Sequence, residues 1–337
     1  MSPIQQMLLG AGGEPPEVVG QALLTGEHRS GSSWTVPDGV TSISVVCIGP
    51  GAGSQIGYNL SSPVGRSGGG GALAYANNIP VTPGATLTYI TAVPAYDDFI
   101  NLKAELSGPA SGSQAAWTLT ANGGQGATGG TRAATGNPGS VTSGTPPGGD
   151  GGDGYNVVYC LAINGRWWQG GGGAGGYSGD GGNGGYGGCC SGWGCTPSTT
   201  AAGNGSGGGS GGGGRGKGSD TTYRGGGGGG TAPYGQGSNG SGGVSHDHGG
   251  SIATNANGAT GQGGSYVSGL SGGTPTTNTD QTNVTAAYAG DYGGGCGAYN
   301  YYDAGSNYFH PIPGESCVRI IWPGDSRQFP STRTANE

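Results

Sequence analysis

A tyrosine-rich stretch near the C-terminus carries the side chains best suited to binding. Residues 298–310 read Ala-Tyr-Asn-Tyr-Tyr-Asp-Ala-Gly-Ser-Asn-Tyr-Phe-His. Tyrosine, asparagine, serine and glycine together are typical of adaptable binding surfaces, because rigid rings supply contact area and small polar groups supply hydrogen bonds. Rings stacked on sugars, with Asp and Asn bonded to hydroxyls, would suit a glycan. The alternative is that the tyrosines only cover the ends of glycine-rich segments. The predicted binding residues are Tyr299, Tyr301, Tyr302, Asp303 and Tyr308.

A second candidate stretch combines cysteines with a tryptophan. Residues 189–195 read Cys-Cys-Ser-Gly-Trp-Gly-Cys, and Trp193 joins the predicted binding residues. Cys189, Cys190 and Cys195 could bind zinc or form a disulfide, although their spacing lacks the C-x2-C pattern of structural zinc sites. The sequence leaves these alternatives open. Cys47 and Cys317, in contrast, fall in predicted strands and are interpreted as small buried apolar residues.

Residues for catalysis or cofactor binding do not occur in recognisable settings. Matches to G-x-G-x-x-G are expected by chance in a glycine-rich chain, and none lies between a strand and a long helix. His246-Asp247-His248 is interpreted as a polar loop rather than as a metal site. Asp97 and Asp98 are adjacent in sequence, so the spaced carboxylate pair of a polysaccharide depolymerase is not indicated. We therefore expect no enzyme activity, no cofactor and no metal.

Composition excludes several classes of partner. The net charge is −7, and the 11 Lys and Arg residues are scattered, so no basic run is available to neutralise nucleic-acid phosphates. The sequence has no run of 18 apolar residues, and we expect no membrane insertion. The first ten residues lack the positive region of a secretory signal, which predicts synthesis in the cytoplasm.

Runs rich in β-branched residues predict strands at both ends of the chain. Within residues 33–48, the turn Pro37-Asp38-Gly39 separates two extended runs. Residues 72–77, 86–92 and 117–120 predict further strands, and residues 316–322 predict a closing strand. No helical periodicity is found after residue 25. The predicted fold is mainly β and irregular, with a small β-sandwich-like module and almost no α-helix.

The glycines have a spacing of their own. Gly accounts for 87 of the 337 residues and dominates residues 121–315. A helix of the polyproline-II type has three residues per turn and rises about 3.1 Å per residue, so residues 172–188 would form a rod of roughly 50 Å. Bare backbones in this geometry can hydrogen-bond to one another. The spacing predicts a polyglycine-II helix bundle, whereas a flexible linker fits residues 203–218 better. Within residues 172–188 the side chains that fall three apart are Ala174, Tyr177, Asp180, Asn183 and Tyr186.

Three segments resemble structural proteins of bacteriophage tails. Residues 1–10 (Met-Ser-Pro-Ile-Gln-Gln-Met-Leu-Leu-Gly) resemble the opening peptide of many tail proteins of marine phages. Residues 34–45, followed by glycine-rich sequence and by residues 79–84 (Ile-Pro-Val-Thr-Pro-Gly), resemble a glycine-rich module of phage tail proteins. Residues 318–324 together with residues 327–330 resemble a C-terminal ending from the same group.

The middle of the chain resembles the adhesins at the tips of T-even phage long tail fibres. In that family, glycine-rich motifs form a layered polyglycine-II sandwich, and variable loops at its far end contact the receptor. Those adhesins carry a larger attachment domain, whereas this chain has a short N-terminal peptide. The resemblance implies a location in the virion and no cofactor.

The domain organisation expected from these features has four parts. They are a virion-docking peptide at 1–30, a β-rich module at 31–120, a polyglycine-II body with variable loops at 121–315, and a closing strand with a tail at 316–337. The docking residues expected to contact other tail or fibre proteins are Ile4, Met7, Leu8 and Leu9.

The resemblance implies an adhesin that binds a host-surface glycan or outer-membrane protein during adsorption. Assembly as a homo-oligomer, such as a trimer, is compatible with this expectation. The alternative is a purely structural tail or capsid decoration protein without a receptor.

Overall fold

The described part of the chain consists of strands and irregular segments, and no helix occurs in it. The computed structural model describes residues 18–53, 55–57, 64–94, 102–111, 115–126, 148–149, 166–191, 194–196, 223–224, 227–236, 289–297, 299–300 and 312–330.

The strands of this part are short and are numbered here in chain order. They are β1 (Gly20–Leu24), β2 (Ser32–Thr35), β3 (Ser42–Ile48), β4 (Gln55–Gly57), β5 (Val64–Arg66), β6 (Leu73–Pro80), β7 (Thr86–Ile90), β8 (Lys103–Gly108), β9 (Trp117–Asn122), β10 (Gly148–Gly149), β11 (Arg166–Gln169), β12 (Tyr186–Ser191), β13 (Gly194–Thr196), β14 (Tyr223–Arg224), β15 (Tyr299–Asn300) and β16 (Cys317–Trp322).

The central sheet has five strands in the order β1-β16-β3-β6-β10, and all neighbours are antiparallel. The predicted closing strand is confirmed as β16, which lies between β1 and β3. Cys317 is opposite Ile48, and Trp322 is opposite Gly20. The chain therefore returns from its long glycine-rich region into the middle of the central sheet.

A four-stranded sheet, in the order β2-β7-β8-β9, packs against one face of the central sheet. Strands β8 and β9 alternate between buried and partly exposed residues, because one face of that sheet points into the core. Burying each aliphatic side chain contributes about 1.5–3 kcal/mol, so this core is the main source of stability for the pair of sheets. The prediction of a mainly β fold with a sandwich-like module is confirmed. The fully buried aliphatic residues of this core include Ile43, Val45, Leu106, Leu119 and Ile320.

The other face of the central sheet has a second core, which is rich in aromatic residues. Tyr177 stacks on Phe329 with 5.9 Å between ring centroids, and Tyr75 lies 5.8 Å from Tyr177. Strand β3 is buried on both faces because it lies between the two cores. Cys47 and Cys317 are completely buried, as their interpretation as apolar residues required.

Glycine-rich segments continue from the strands and pack next to the second core. We call them the glycine layer. Most of its described residues are buried, although few carry a side chain beyond Cβ. The layer comprises residues 49–53, 67–72, 122–126, 170–185, 227–231, 289–297 and 312–316.

Backbone hydrogen bonds join the segments of the glycine layer at intervals of three residues. The amides of Gly172 and Gly175 donate to the carbonyls of Gly68 and Gly71, each at 2.9 Å. Between these two donors, the amide of Ala174 donates to a different segment, at 3.0 Å from the Gly229 carbonyl. In a β-strand the direction of successive backbone groups alternates with a period of two residues. Here the direction repeats every three residues, so successive residues face different neighbouring segments. The same interval occurs in the amides of Gly68 and Gly71, which donate to Cys296 and Gly293.

The expectation of one continuous rod over residues 172–188 is wrong. The amides of Gly170, Gly173 and Gly176 donate to the carbonyls of Gly185, Gly182 and Gly179, at 2.8–2.9 Å. This pairing is antiparallel, so the chain reverses at Tyr177 and Ser178. Tyr177 is buried in the second core, whereas Ser178, Asp180 and Asn183 are exposed. A spacing of three residues cannot reveal such a reversal, since both arms of the turn have the same period.

Candidate functional site

The ends of several long insertions meet at one edge of the glycine layer. We call this the distal edge, because it lies away from the strands β3, β6 and β16. Gly170 bonds to Gly185 at 2.9 Å, and Ala289 bonds to Ile312 at 3.3 Å. Hydrogen bonds of Gly68, Gly172 and Gly228 connect further ends at this edge. The amide of Gln236, after which the insertion 237–288 begins, donates instead to the Pro330 carbonyl at the opposite end of the layer. Four insertions have both ends at this edge: residues 54–66, 127–169, 186–226 and 298–311. The third carries the cysteine-containing stretch, and the fourth carries the tyrosine-rich stretch.

Short β-ribbons extend beyond the distal edge. They are the pairs β4–β5 and β14–β15 and the three-stranded sheet β11-β12-β13. Strand β11 contacts β5, β14 and β15. Four different insertions therefore contribute backbone to one cluster of ribbons. A binding surface assembled from several loops on a rigid support is typical of recognition proteins.

Of the predicted binding residues, Tyr299 lies on β15 opposite Arg224 of β14. The contact between β15 and β11 brings its strand beside the sheet that carries Cys189, Cys190 and Cys195. The predicted residues outside the described part of the chain are Trp193, Tyr301, Tyr302, Asp303 and Tyr308, together with the docking residues Ile4, Met7, Leu8 and Leu9.

The ribbons also contain residues that the sequence analysis did not select. Arg166 and Trp167 lie on β11, and Tyr223 and Arg224 form β14. Each pair places an arginine next to an aromatic residue beside a glycine run. Arginine and aromatic residues are the types most enriched where proteins bind partners. That local pattern was the signal available for finding them.

The opposite, proximal end of the layer is fixed by the hydroxyl of Tyr177. The hydroxyl donates to the Ala232 carbonyl and accepts from the Gly235 amide, both at 3.1 Å. Because the ring is 1% exposed, burial raises the pKa of Tyr177, and the residue stays neutral. Tyr177 therefore joins the turn of one glycine segment to the end of another.

Arg319 of β16 makes a second link at the proximal end. Its guanidinium donates to the Pro233 carbonyl at 3.0 Å and to the side chain of Gln21. It also lies 4.7 Å from the centroid of the Tyr234 ring. Burial lowers the pKa of Arg319, but the guanidinium keeps its proton at any ordinary pH. These contacts attach residues 233–234 to the central sheet.

Other described groups with shifted pKa values include three buried cysteines and two carboxyl groups. Burial raises the pKa of the thiols of Cys47, Cys296 and Cys317, which makes them unreactive. Burial also raises the pKa of Asp291 and Glu315, and for Glu315 the charge of Asp291 adds to the effect. Within the described stretches, no group of three or more His, Cys, Asp and Glu residues is placed to hold a metal ion.

No long apolar helix that could cross a membrane is found in the described residues. Comparison with protein-family models gave no match to this chain. Comparison with curated proteins gave no match either.

Proposed function

We propose that the chain is a tail or fibre adhesin of a phage virion, which binds a receptor on the host surface during adsorption. Its glycine layer is a polyglycine-II bundle, and the insertions at the distal edge form the receptor-binding surface. The receptor is a surface glycan or an outer-membrane protein.

The hydrogen-bond interval supports the polyglycine-II part of this proposal. In such a helix, residues three apart lie on one edge, and the three edges face three neighbours. Residues 170–176 donate from Gly170, Gly173 and Gly176 to one neighbour, from Gly172 and Gly175 to a second, and from Ala174 to a third. The resulting support is stiff, because each segment is held by backbone bonds in several directions.

The observation that carries the functional proposal is the meeting of the insertion ends at the distal edge. A chain that only filled space would have no need to bring both ends of four polar insertions to one edge. Two of these insertions carry the tyrosine-rich residues 298–310 and the residues 189–195 with Trp193. Aromatic rings with neighbouring Asn, Asp and Arg can stack on sugars and bond their hydroxyls.

The position at which strand β1 begins supports attachment at the end of the molecule remote from the glycine layer. Strand β1 begins at Gly20, opposite Trp322. Trp322 ends β16, whereas the glycine layer joins β16 at its first residue, Cys317. The chain therefore enters the sheet at the end remote from the layer. A docking peptide containing Ile4, Met7, Leu8 and Leu9 would then bind other virion proteins while the distal edge faces the host.

The test compares two double variants in assembled particles. Tyr301→Ala with Tyr302→Ala removes two rings, and Tyr301→Phe with Tyr302→Phe keeps them. We expect the alanine pair to reduce adsorption at least tenfold and the phenylalanine pair to have a smaller effect, with particle yield unchanged in both. Adsorption of the alanine pair at the unmodified rate would remove the binding role from this stretch.

The alternative is a structural virion protein that binds no receptor. Location of the chain on the tail or capsid as a decoration, rather than at the tip of a tail or fibre, would favour this alternative. Purified chain added to host cells competes with particles only if it binds the receptor. Competition by purified chain supports the adhesin. If immunogold places the chain on the virion and no competition occurs, the structural role is correct.

A further inference from the structure

Two cysteines lie directly opposite each other in the ribbon sheet at the distal edge. The register between β12 and β13 pairs Ser191 with Gly194, Cys190 with Cys195, and Cys189 with Thr196. Only Gly192 and Trp193 separate the innermost paired residues in sequence. Cys190 and Cys195 are therefore the next pair out from the connection.

The spacing of this pair matches that of a disulfide. Opposite residues in an antiparallel ladder have Cα atoms about 4.5 Å apart in a non-hydrogen-bonded pair and about 5.5 Å apart in a hydrogen-bonded pair. A disulfide joins Cα atoms that are about 4.4–6.8 Å apart. Both kinds of pair lie in that interval, so the bond would require no change in register.

The third cysteine of the stretch lies on the other face. Successive residues of a strand alternate between faces, which separates Cys189 from its neighbour Cys190. Opposite residues of paired strands share a face, so Cys195 is on the face of Cys190. A structural zinc site needs its ligands on one side, whereas this register places Cys189 on one face of the sheet and Cys190 and Cys195 on the other. The register thus favours a disulfide over a metal site.

We propose that Cys190 and Cys195 form a disulfide that closes the hairpin carrying Trp193. An oxidised low-molecular-weight disulfide such as glutathione disulfide is the oxidant. One thiolate attacks a sulfur of glutathione disulfide and releases one glutathione thiolate. The second cysteine then attacks the mixed disulfide and releases another. The two protein thiols lose two protons and two electrons, and the two glutathiones gain them.

The other described cysteines do not compete for this reaction. Cys47, Cys296 and Cys317 are completely buried, and burial raises the pKa of each thiol. Thiolate character and access control disulfide exchange, so these residues react slowly in the folded chain. If the proposed function is correct, the bond also fixes the two ends of the connection that presents Trp193 to the receptor.

The test uses the full chain and reads the tryptic peptide of residues 167–215, which contains Cys189, Cys190 and Cys195. Cys189→Ser leaves the proposed pair alone in this peptide. After exposure to glutathione disulfide, we expect the peptide to be two hydrogens lighter than its reduced form. It should take no iodoacetamide in denaturant until a reductant is added, and two labels afterwards.

A matched variant tests the register. In Cys190→Ser, we expect Cys189 and Cys195 to remain thiols or to carry one glutathione each, because they lie on opposite faces of the sheet. A peptide two hydrogens lighter than its reduced form in that variant would overturn the pairing. Separate glutathione adducts in Cys189→Ser would also overturn it, and so would protection that a chelator removes. These readouts do not involve host cells, so they are independent of whether the chain is an adhesin.

Discussion

The backbone of Gly70 lies so close to Gly173 that a Cβ atom on Gly70 would be 2.0 Å from the Gly173 carbonyl oxygen. The same closeness recurs at Gly228, where a Cβ would be 1.9 Å from the Gly172 oxygen, and at Gly68, where it would be 1.9 Å from the Ala52 oxygen. The obstructing atoms are backbone, so no flexible side chain can move aside. The segments can approach this closely only because glycine has no Cβ atom at these positions.

Replacing Gly70 by alanine should therefore destabilise the chain strongly. The methyl group must push residues 170–176 away and stretch the bonds that Gly68 and Gly71 accept. Overpacking costs about 1–3 kcal/mol in ordinary cores, and we expect Gly70→Ala to reach at least about 3 kcal/mol. Chemical denaturation of the two proteins measures this difference.

Gly84→Ala is the matched control for that experiment. A Cβ at Gly84 would meet nothing within 4 Å, but its φ of +76° is unfavourable for alanine. That strain costs about 1–2 kcal/mol. Equal losses in the two variants would mean that the glycine layer tolerates a side chain and is not closely packed.

Removal of the Tyr177 hydroxyl tests the link at the proximal end. Tyr177→Phe keeps the ring in the second core but leaves the Gly235 amide and the Ala232 carbonyl without this partner. Leaving buried polar groups unsatisfied costs about 1–3 kcal/mol, and we expect a loss in this range. Tyr234→Phe is the control, because it keeps the ring over which Arg319 lies. A loss in Tyr177→Phe no larger than in the control would contradict the role of the hydroxyl.

Asp291 and Glu315 should make stability depend on pH. Burial raises the pKa of both carboxyl groups in the folded chain, and the unfolded chain has ordinary values of about 4. The unfolded state therefore loses these protons first as pH rises. The two carboxyl groups contribute favourably to the free energy of unfolding. This contribution is complete below about pH 4 and is lost as pH rises through the raised pKa values.

The variant Asp291→Asn with Glu315→Gln isolates this contribution. Relative to it, the unmodified chain should lose melting temperature between pH 4 and pH 7, because the amides do not titrate. Other acidic groups are common to both proteins and cancel in the comparison. Parallel melting curves across this interval would show that the two carboxyl groups are not desolvated.

The β part of the fold is predictable because its strands have local signals. The turn at residues 37–39 and the β-branched run of β3 define two strands, and β16 has a similar run. The strand β1 was not predicted, since Gly20–Leu24 has neither length nor alternation to separate it from a peptide tail. Its pairing with β16 joins residues about 300 positions apart.

The arrangement of the glycine segments is harder to predict. The three-residue spacing between residues 172 and 188 indicates the local geometry, but it does not show where the chain reverses its direction. The reversal at Tyr177 depends on burial of its ring against Tyr75 and Phe329, which are far away in sequence. Gly148–Gly149 has the same local composition and instead pairs with β6. Tertiary packing decides among these outcomes.

Amide hydrogen exchange over residues 170–176 tests the central claim most directly. Six of the seven amides of residues 170–176 donate to carbonyls in other parts of the layer, so the peptide opens only when the layer opens, and exchange is slow. We expect protection within about tenfold of that of the central strand β3, measured against the same peptides from the denatured chain. Exchange of residues 170–176 at the denatured rate, with β3 still protected, would contradict a hydrogen-bonded glycine layer and with it the support for a distal binding surface.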